Sequence, residues 1–592
     1  MDTNKKLIGG EFLVKEVPAT EIFTIEDINE EQGMIRDTCR DFIASEITPD
    51  LKRLDNHEDG LMRQKVDKAG EYGLLGAGLP EKYGGMNVDF ITTMLIADNL
   101  GSGHSFSVAF SAHTGIGTLP LLYYGNEEQK QKYLPKLATG EYAAAYCLTE
   151  PGAGSDANSG RTKAVLSDDG KHYILNGQKM WITNGGFADL LTVFAKIDND
   201  RILSAFLVES KTDGVSFNPE EDKMGIRGSS TRQIFFNDVK VPVENLLGKR
   251  GEGFRIALNI LHVGRVKLGA SVLGGMRVAI NHSVNYANER KQFGRYISQF
   301  GAIKNKLANQ AIKQFSTESA VYRTSGDINT LAEENIAGGM EKGPAEIDAI
   351  AKYAIEAAIL KVYGSEALDY VVDEAVQIYG GMGFSAELPV DRCYRDSRIN
   401  RIFEGTNEIN RMVIIDTFMK FIKRGDYDVF GMGEKLLNME GELQPQKGDG
   451  TYFSNHFAQI KNLKQLAIMT LTAANNTLKR SLGSEQEVMM SISDILIQIY
   501  VAESTMLRIQ KIDTTNNSNK ELYKAMGDIL VYEATQIIRN KAFDAVNSFA
   551  EGDLYEQLIK GIEVFTKTPK INIKDASRQI AEKIIEENKY CF

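Results

Sequence analysis

The stretch Tyr146-Cys147-Leu148-Thr149-Glu150-Pro151-Gly152-Ala153-Gly154-Ser155-Asp156 stands where the texture of the chain changes. Upstream, over about residues 26–134, apolar residues recur at helical spacing, as in 30–47 and in 126–134, the latter ended by Pro135. Downstream, to about residue 247, short β-branched and aromatic runs at 172–175, 191–194, 205–208 and 233–236 alternate with turn signals at 168–170, 176–177 and 184–186. That spacing predicts a small β barrel or sandwich. Gly152 to Ala157 matches the G-x-G-x-x-A form of a dinucleotide fingerprint. Asn158-Ser159-Gly160 and strand-like residues follow, however, where a Rossmann loop requires a helix, so the doubly wound fold is set aside. The glycines either let backbone N–H groups approach a phosphate or a flavin edge, with Ser155 as an added donor, or form an ordinary turn into the β region.

Helical texture returns over 253–423, with one break at Gly380-Gly381-Met382-Gly383. A polar stretch, 441–450, reads as a linker, and another helical block covers 453–588. The reading is mainly α with a central β domain: a helical domain (1–145), a β barrel (146–250), a four-helix bundle (251–430), then a linker and C-terminal helical extension (431–592). At about 150 residues per domain, 592 residues fit that division.

Lys plus Arg number 68 against 80 for Asp plus Glu, a net charge of -12, so the global field repels nucleic acid. Four distant cysteines form no CxxC pattern, which argues for a reducing compartment and against a zinc cage. No apolar run follows Met1 to Lys6, and no uncharged apolar stretch reaches the ~18 residues of a membrane span, so a cytoplasmic location is expected. His57-Glu58 is not completed to H-E-x-x-H, neither G-x-S-x-G nor a P-loop occurs, and no metal is expected.

Three elements remain, each with a plain and a chemical reading. Trp181, the sole tryptophan, is core packing or an indole plane entering a turn with Thr183 and Asn184, able to meet a flat cofactor. Arg290-Lys291-Gln292-Phe293-Gly294 is a solvated helix end or a diphosphate clamp. Glu404, before a helix that Thr406 could cap, is a surface residue or a general base whose pKa is raised by desolvation.

Together these segments resemble the acyl-CoA dehydrogenase family. The motifs are 146–156, 181–185, 290–294, Gln377-Ile378-Tyr379-Gly380-Gly381 and Phe403-Glu404-Gly405-Thr406, and the resemblance covers about residues 25–425. The block after Gly450 and the pair Phe300-Gly301 resemble the very-long-chain members. The resemblance implies non-covalent FAD, α,β-desaturation of a fatty acyl-CoA as the first step of β-oxidation, and electron-transfer flavoprotein as acceptor. It implies that Tyr146, Leu148, Thr149, Gly154, Ser155, Trp181, Ile182 and Thr183 border the flavin ring. Arg290, Phe293, Gln377, Gly380 and Gly381 serve the adenosine diphosphate part across a subunit interface, and Thr406 and Glu408 close the flavin site. Ser155, Arg265, Phe403 and Gly405 contact substrate. Glu404 matches the catalytic base, with its backbone N–H polarising the thioester carbonyl.

Two departures stand out: Gly264 occupies the place from which some relatives supply the base, and Glu408 stands where medium-chain members have glutamine. Small residues at Gly101, Gly103, Ser105, Ser107, Val108, Ser111 and Ala112 leave a deep acyl channel or serve close helix packing. A homodimer or tetramer is expected. The competing functions are an acyl-CoA oxidase using oxygen and a scaffold acting through the C-terminal block. In that block Phe457, Ile460, Leu463, Leu466 and Leu471, with Lys461, Lys464, Lys479 and Arg480, form a stripe that either contacts an anionic membrane or packs internally.

Overall fold

A computed structural model describes residues 7–439 and 443–592. Met1 to Lys6, and Gly441 and Glu442 of the expected linker, lie outside the described residues. The N-terminal part is helical, including α1 (Glu30–Phe42), α2 (Phe90–Leu100) and α3 (Ser105–Ser111). Asn29 starts α1 with a reciprocal capping box: its Oδ1 accepts from Gln32 N at 2.9 Å and its N–H donates to Gln32 Oε1 at 3.1 Å. The expected helix over 30–47 leaves α geometry at Phe42 and finishes as a π turn, Ile43–Ile47. Pro135 does not end its helix, which runs Glu127–Thr139. The lost backbone bond is offset there by burial of Tyr133, Leu134, Leu137 and Ala138 on both sides of the proline.

Eight strands follow: β1 (Ala144–Cys147), β2 (Lys163–Leu166), β3 (His172–Thr183), β4 (Leu190–Ile197), β5 (Ser204–Glu209), β6 (Val215–Phe217), β7 (Thr231–Pro242) and β8 (Leu246–Leu247). Their order is β6-β7-β3-β2-β4-β5-β8, with β1 added parallel to β4. Residues of β1 to β5 and β7 share one apolar core, including Leu175, Val193, Phe206, Ile234 and Val239. The four short runs read from the sequence fall in β3, β4, β5 and β7. Asn176-Gly177 is a correction: it is not a turn but lies within β3, at a bulge opposite β7. Thr162 comes so close that a Cβ on Gly177 would lie 2.6 Å from its Oγ1, so the glycine serves a close backbone approach.

The third part is built on α4 (Gly253–Glu289), α5 (Gly301–Ala337), α6 (Lys342–Lys352), α7 (Ala354–Tyr379), α8 (Pro389–Ser397) and α9 (Asn407–Arg424). α4 is long and apolar enough to cross a membrane, yet most of it is buried, packed along α7 and α2. Between α4 and α5 a short hairpin pairs β9 (Lys291–Gln292) with β10 (Arg295–Tyr296).

The C-terminal block holds α10 (Tyr452–Leu478), α11 (Gln486–Asp513), α12 (Lys520–Phe549), α13 (Gly552–Phe565) and α14 (Ile573–Glu587). The apolar stripe of α10 faces inward: Ile460, Leu463, Leu466 and Leu471 are buried. Lys464 is also buried, paired with Glu503, and Lys461 pairs with Glu16 at 2.8 Å. Of the two readings of this stripe, internal packing is the one its buried apolar residues fit; Lys479 and Arg480 remain exposed. Buried ion pairs bind the block to the rest: Arg508 reaches Glu26 at 2.7 Å and Glu318 at 2.9 Å, and Arg323 reaches Glu503 at 3.1 Å.

Candidate active site

The segment carrying Glu404 is a strained turn between α8 and α9. Glu404 (φ 58°) and Gly405 (φ 84°) are both left-handed, a conformation that is unfavourable for glutamate and must be held by its surroundings. Three groups hold it. Thr406 Oγ1 caps α9 by accepting from Ile409 N at 3.3 Å. Asn410 Nδ2 donates to the carbonyls of Glu404, Gly405 and Thr406 at 3.3, 2.8 and 3.0 Å. From α4, Arg265 Nε donates to Glu404 O at 3.3 Å.

The turn delivers the Glu404 carboxylate against Gly264. A Cβ on Gly264 would lie 2.7 Å from Glu404 Oε2, so the absent side chain is what makes room for the carboxylate. Oε2 is buried and has no hydrogen-bond partner among the described residues. Burial pushes the Glu404 carboxyl up to about 7, against the opposing pull of the Arg265 and Lys361 charges. Arg265 is itself lowered to about 10 by burial, with Glu404 opposing. Its Nη1 lies 3.1 Å from His262 Nδ1, and burial with the Arg265 charge lowers His262 to about 3, leaving a neutral acceptor. Lys361, fully buried on α7, donates to Asn407 Oδ1 at 2.6 Å, and burial lowers it to about 7 with Glu404 opposing.

Glu404 and Phe403 face a cavity with an empty volume of about 1080 Å³ that runs along α4 from Gly264 to Val278. Of the small residues read from the sequence, Gly101, Ser107, Val108, Ser111 and Ala112 line it. Gly103 and Ser105 do not: Gly103 packs against Ile43 and Phe106, and Ser105 Oγ accepts from Gly228 N at 3.1 Å. Also in the lining, His104 Nδ1 meets Asp396 Oδ2 at 3.0 Å, while Asp396 Oδ1 accepts from Ile226 N at 2.5 Å, joining all three parts of the core at the cavity.

Thr183 brings the β part to the same cavity. Two residues before it, Trp181 is left-handed (φ 57°), lies at a bulge of β3 rather than in a turn, and is 61% exposed, so it is not core. Ile182 beside it is buried. The loop after β1 ends in a three-residue 3-10 turn, Ala157–Ser159, and no Rossmann helix follows. Leu148 and Tyr146 are buried, and the Tyr146 hydroxyl has no hydrogen-bond partner among the described residues. Thr149 O accepts from Met180 N at 3.0 Å, and the buried Lys179 ties Leu148 O (3.1 Å) to Glu150 (2.7 Å), bracing the loop on β3. Ser155 and Gly154 are exposed, and a Cβ on Gly152 or Gly154 would meet no atom within 4 Å. An exposed indole, an open glycine loop and an orphaned buried hydroxyl fit a flat, hydrogen-bonding aromatic cofactor such as FAD.

A second set lies elsewhere in the chain. Tyr286 stacks on Tyr379 with ring centroids 4.0 Å apart, which sets Gln377, Gly380 and Gly381 beside Arg290 and the hairpin. Arg290, Gln377, Gly380 and Gly381 are exposed, and Phe293 is 93% exposed. Arg290 follows Gly264 by 26 residues along α4, roughly 39 Å at the helical rise. The two sets therefore do not meet within one chain. Glu408 is exposed, its carboxyl held below the usual range by its own backbone N–H and the Thr406 hydroxyl.

Sequence reasoning missed Asn410, His262 and Lys361. Lys361 carried a signal, as the one charge in the otherwise apolar run 357–363. Asn410 lies one helical turn from Thr406, a weaker hint.

Family models described as acyl-CoA dehydrogenase N-terminal, middle and C-terminal domains match residues 29–141, 145–239 and 251–419, and a further model of an acyl-CoA dehydrogenase C-terminal domain matches 462–563. The chain is 41% identical over 583 residues to a probable acyl-CoA dehydrogenase of Bacillus subtilis (strain 168), covering 98% of each. It is 36% identical over 501 residues to the human very long-chain specific acyl-CoA dehydrogenase, mitochondrial, covering 79% of this chain and 73% of that one. The crystal structure of an acyl-CoA dehydrogenase complexed with FAD from Bacillus anthracis matches with a TM-score of 0.95 at 42% identity, covering 99% of this chain and 100% of that one.

Proposed function

This chain belongs to the acyl-CoA dehydrogenase family, and we propose that it is the FAD-dependent enzyme that desaturates long or very long fatty acyl-CoA thioesters, with Glu404 taking the α-proton. The observation that carries this reading is the Glu404 carboxyl: unpartnered at Oε2 among the described residues, raised to about 7, and facing a mostly apolar cavity that runs along α4. A thioester α-proton is weakly acidic, so the base must be desolvated yet able to ionise near neutral pH. Gly264 leaves the carboxylate room, and Asn410 and Arg265 fix its backbone. The Arg265 and Lys361 charges favour the ionised base before reaction and the negative charge that develops on the substrate during it. Bound FAD supplies the acceptor for hydride from the β-carbon.

Tyr146, Thr183 and Trp181 would hold the ring, with Leu148 and Ile182 behind it and Ser155 at the substrate edge. Arg290, Phe293, Gln377 and Gly380 would hold the diphosphate end of the FAD of a second copy, because one chain separates the two sets; the enzyme is then at least a homodimer. The small residues along the cavity, from Gly101 to Ala112, and the C-terminal block support the longer chains.

Anaerobic titration of the FAD-loaded protein with acyl-CoAs from short to very long chains tests the reading. Bleaching of the flavin band that persists to long chains is expected, and no bleaching by any of them would refute it. Electrons are expected to pass to an electron-transfer flavoprotein, so turnover in air should release little peroxide; stoichiometric peroxide would make the protein an oxidase.

A further inference from the structure

Beside the Glu404 cavity lies a second one, with an empty volume of about 680 Å³, walled by the N-terminal helices and the middle of α4. The two share Ser111 and Lys267 as common wall. Most of the second lining is apolar, including Leu79, Phe90, Phe110 and Val263; Lys267 and Glu346 are its charged residues, and Tyr123 with Thr93, Ser111 and Thr114 adds hydroxyls.

Lys267 follows Gly264 by three residues on α4, on the same face and roughly 5 Å further along. Its stem lies over Gly115, where a Cβ would come within 3.6 Å of Lys267 Cδ and 3.7 Å of Nζ. Nζ donates to Thr114 O at 3.4 Å, in the π turn Ala112–Gly117; that long contact is its one hydrogen bond among the described residues. Glu346, on α6, accepts from the Tyr123 hydroxyl at 3.1 Å and lies 3.8 Å from Lys342. Burial lowers Lys267 to about 8 and raises Glu346.

An amine with three donors and one marginal acceptor, set in the wall of a substrate channel, is unmatched by a plain hydrocarbon chain. A hydroxyl oxygen can accept from Lys267 and donate towards Glu346. A carboxylate would also meet Lys267, but it would bring a second negative charge beside Glu346. We propose that Lys267 reads a hydroxyl group on the acyl chain and that the second cavity holds the chain around it, making hydroxylated fatty acyl-CoAs a preferred substrate class. This rests on the desaturase reading above.

The test uses the FAD-loaded full chain and acyl-CoAs of matched length that carry methyl, hydroxyl or carboxyl on the chain carbon level with Lys267, roughly 5 Å along α4 from Gly264. The parent should favour the hydroxyl over the methyl chain by about tenfold in kcat/KM, chiefly through KM. Lys267→Met keeps the stem and removes the donors, and it should bring that ratio near one. An unchanged ratio in the variant, or a parent that prefers methyl or carboxyl, overturns the proposal; the parent's ratio decides alone if Lys267→Met does not fold. Bleaching by the methyl chain keeps the desaturase reading standing whichever way the ratio falls, whereas failure of all three substrates to bleach the flavin counts against that reading itself.

Discussion

Replacing Gly264 by alanine separates the geometry of the base from the stability of the fold. The added Cβ would lie 2.7 Å from Glu404 Oε2, 2.8 Å from Cδ and 3.1 Å from Oε1. Comfortable contact begins at about 3.4 Å, so the carboxylate must retreat by roughly 0.7 Å. It is the free end of a flexible side chain, and its retreat strains little. Alanine in the middle of α4 meanwhile improves helix propensity by about 0.5–1 kcal/mol, so the melting temperature should hold or rise. Proton abstraction depends on placement at this scale, and a shift of this size should slow flavin reduction by about 10- to 100-fold. Stopped-flow mixing of the FAD-loaded variant with acyl-CoA, paired with a thermal melt, reads both effects. Parent-like reduction in Gly264→Ala would refute the placement of the base against α4, and a slow variant that also melts early would point to general damage instead.

Other consequences follow from the same site. Glu404→Gln should lower turnover by ~10³-fold or more with FAD still bound, since the amide keeps the shape but accepts no proton; turnover above about a tenth of the parent's would place the base elsewhere. In the parent, kcat/KM should rise with pH through about 7 as Glu404 ionises, and a profile without that limb would contradict the raised carboxyl. The same carboxyl links pH to folding. Its folded pKa of about 7 stands above the ordinary 4.5, so its stabilising effect is full below 4.5 and is lost as pH rises through about 7. Denaturation of the FAD-free protein across that window should show a smaller loss in Glu404→Gln than in the parent, the remainder coming from other buried carboxyls such as Glu356, which burial also raises to about 7; equal losses in the two proteins would contradict the raised Glu404 carboxyl. Arg508→Met takes the buried cation from Glu26 and leaves Glu318 only Arg277 at 3.5 Å, and it should destabilise by ~3 kcal/mol in urea unfolding; an unchanged midpoint would mean the Arg508 pairs add nothing to the hold on the C-terminal block.

The order of helical, β and helical parts was legible in the chain because it is written in local periodicity and turn chemistry. So were the strand runs inside β3, β4, β5 and β7, the break at Gly380 and the Thr406 cap, each decided by residues a few positions apart. The family resemblance likewise rested on short contiguous motifs. Where local signals misled, distant residues had intervened: Thr162 closes on Gly177 inside a strand, and burial carries a helix through Pro135. Where the chain left two readings open, as for the stripe of α10, contacts within the C-terminal block buried its apolar residues. The chemical character of the site was decided wholly by tertiary structure. A glutamate in sequence is only a carboxyl with an ordinary pKa. It becomes a poised one because Gly264, about 140 residues earlier, leaves it room, while Arg265 and Lys361 bring charge close and the surrounding helices exclude water. Burial and charge proximity depend on distance in space, and no local pattern in the chain encodes that distance.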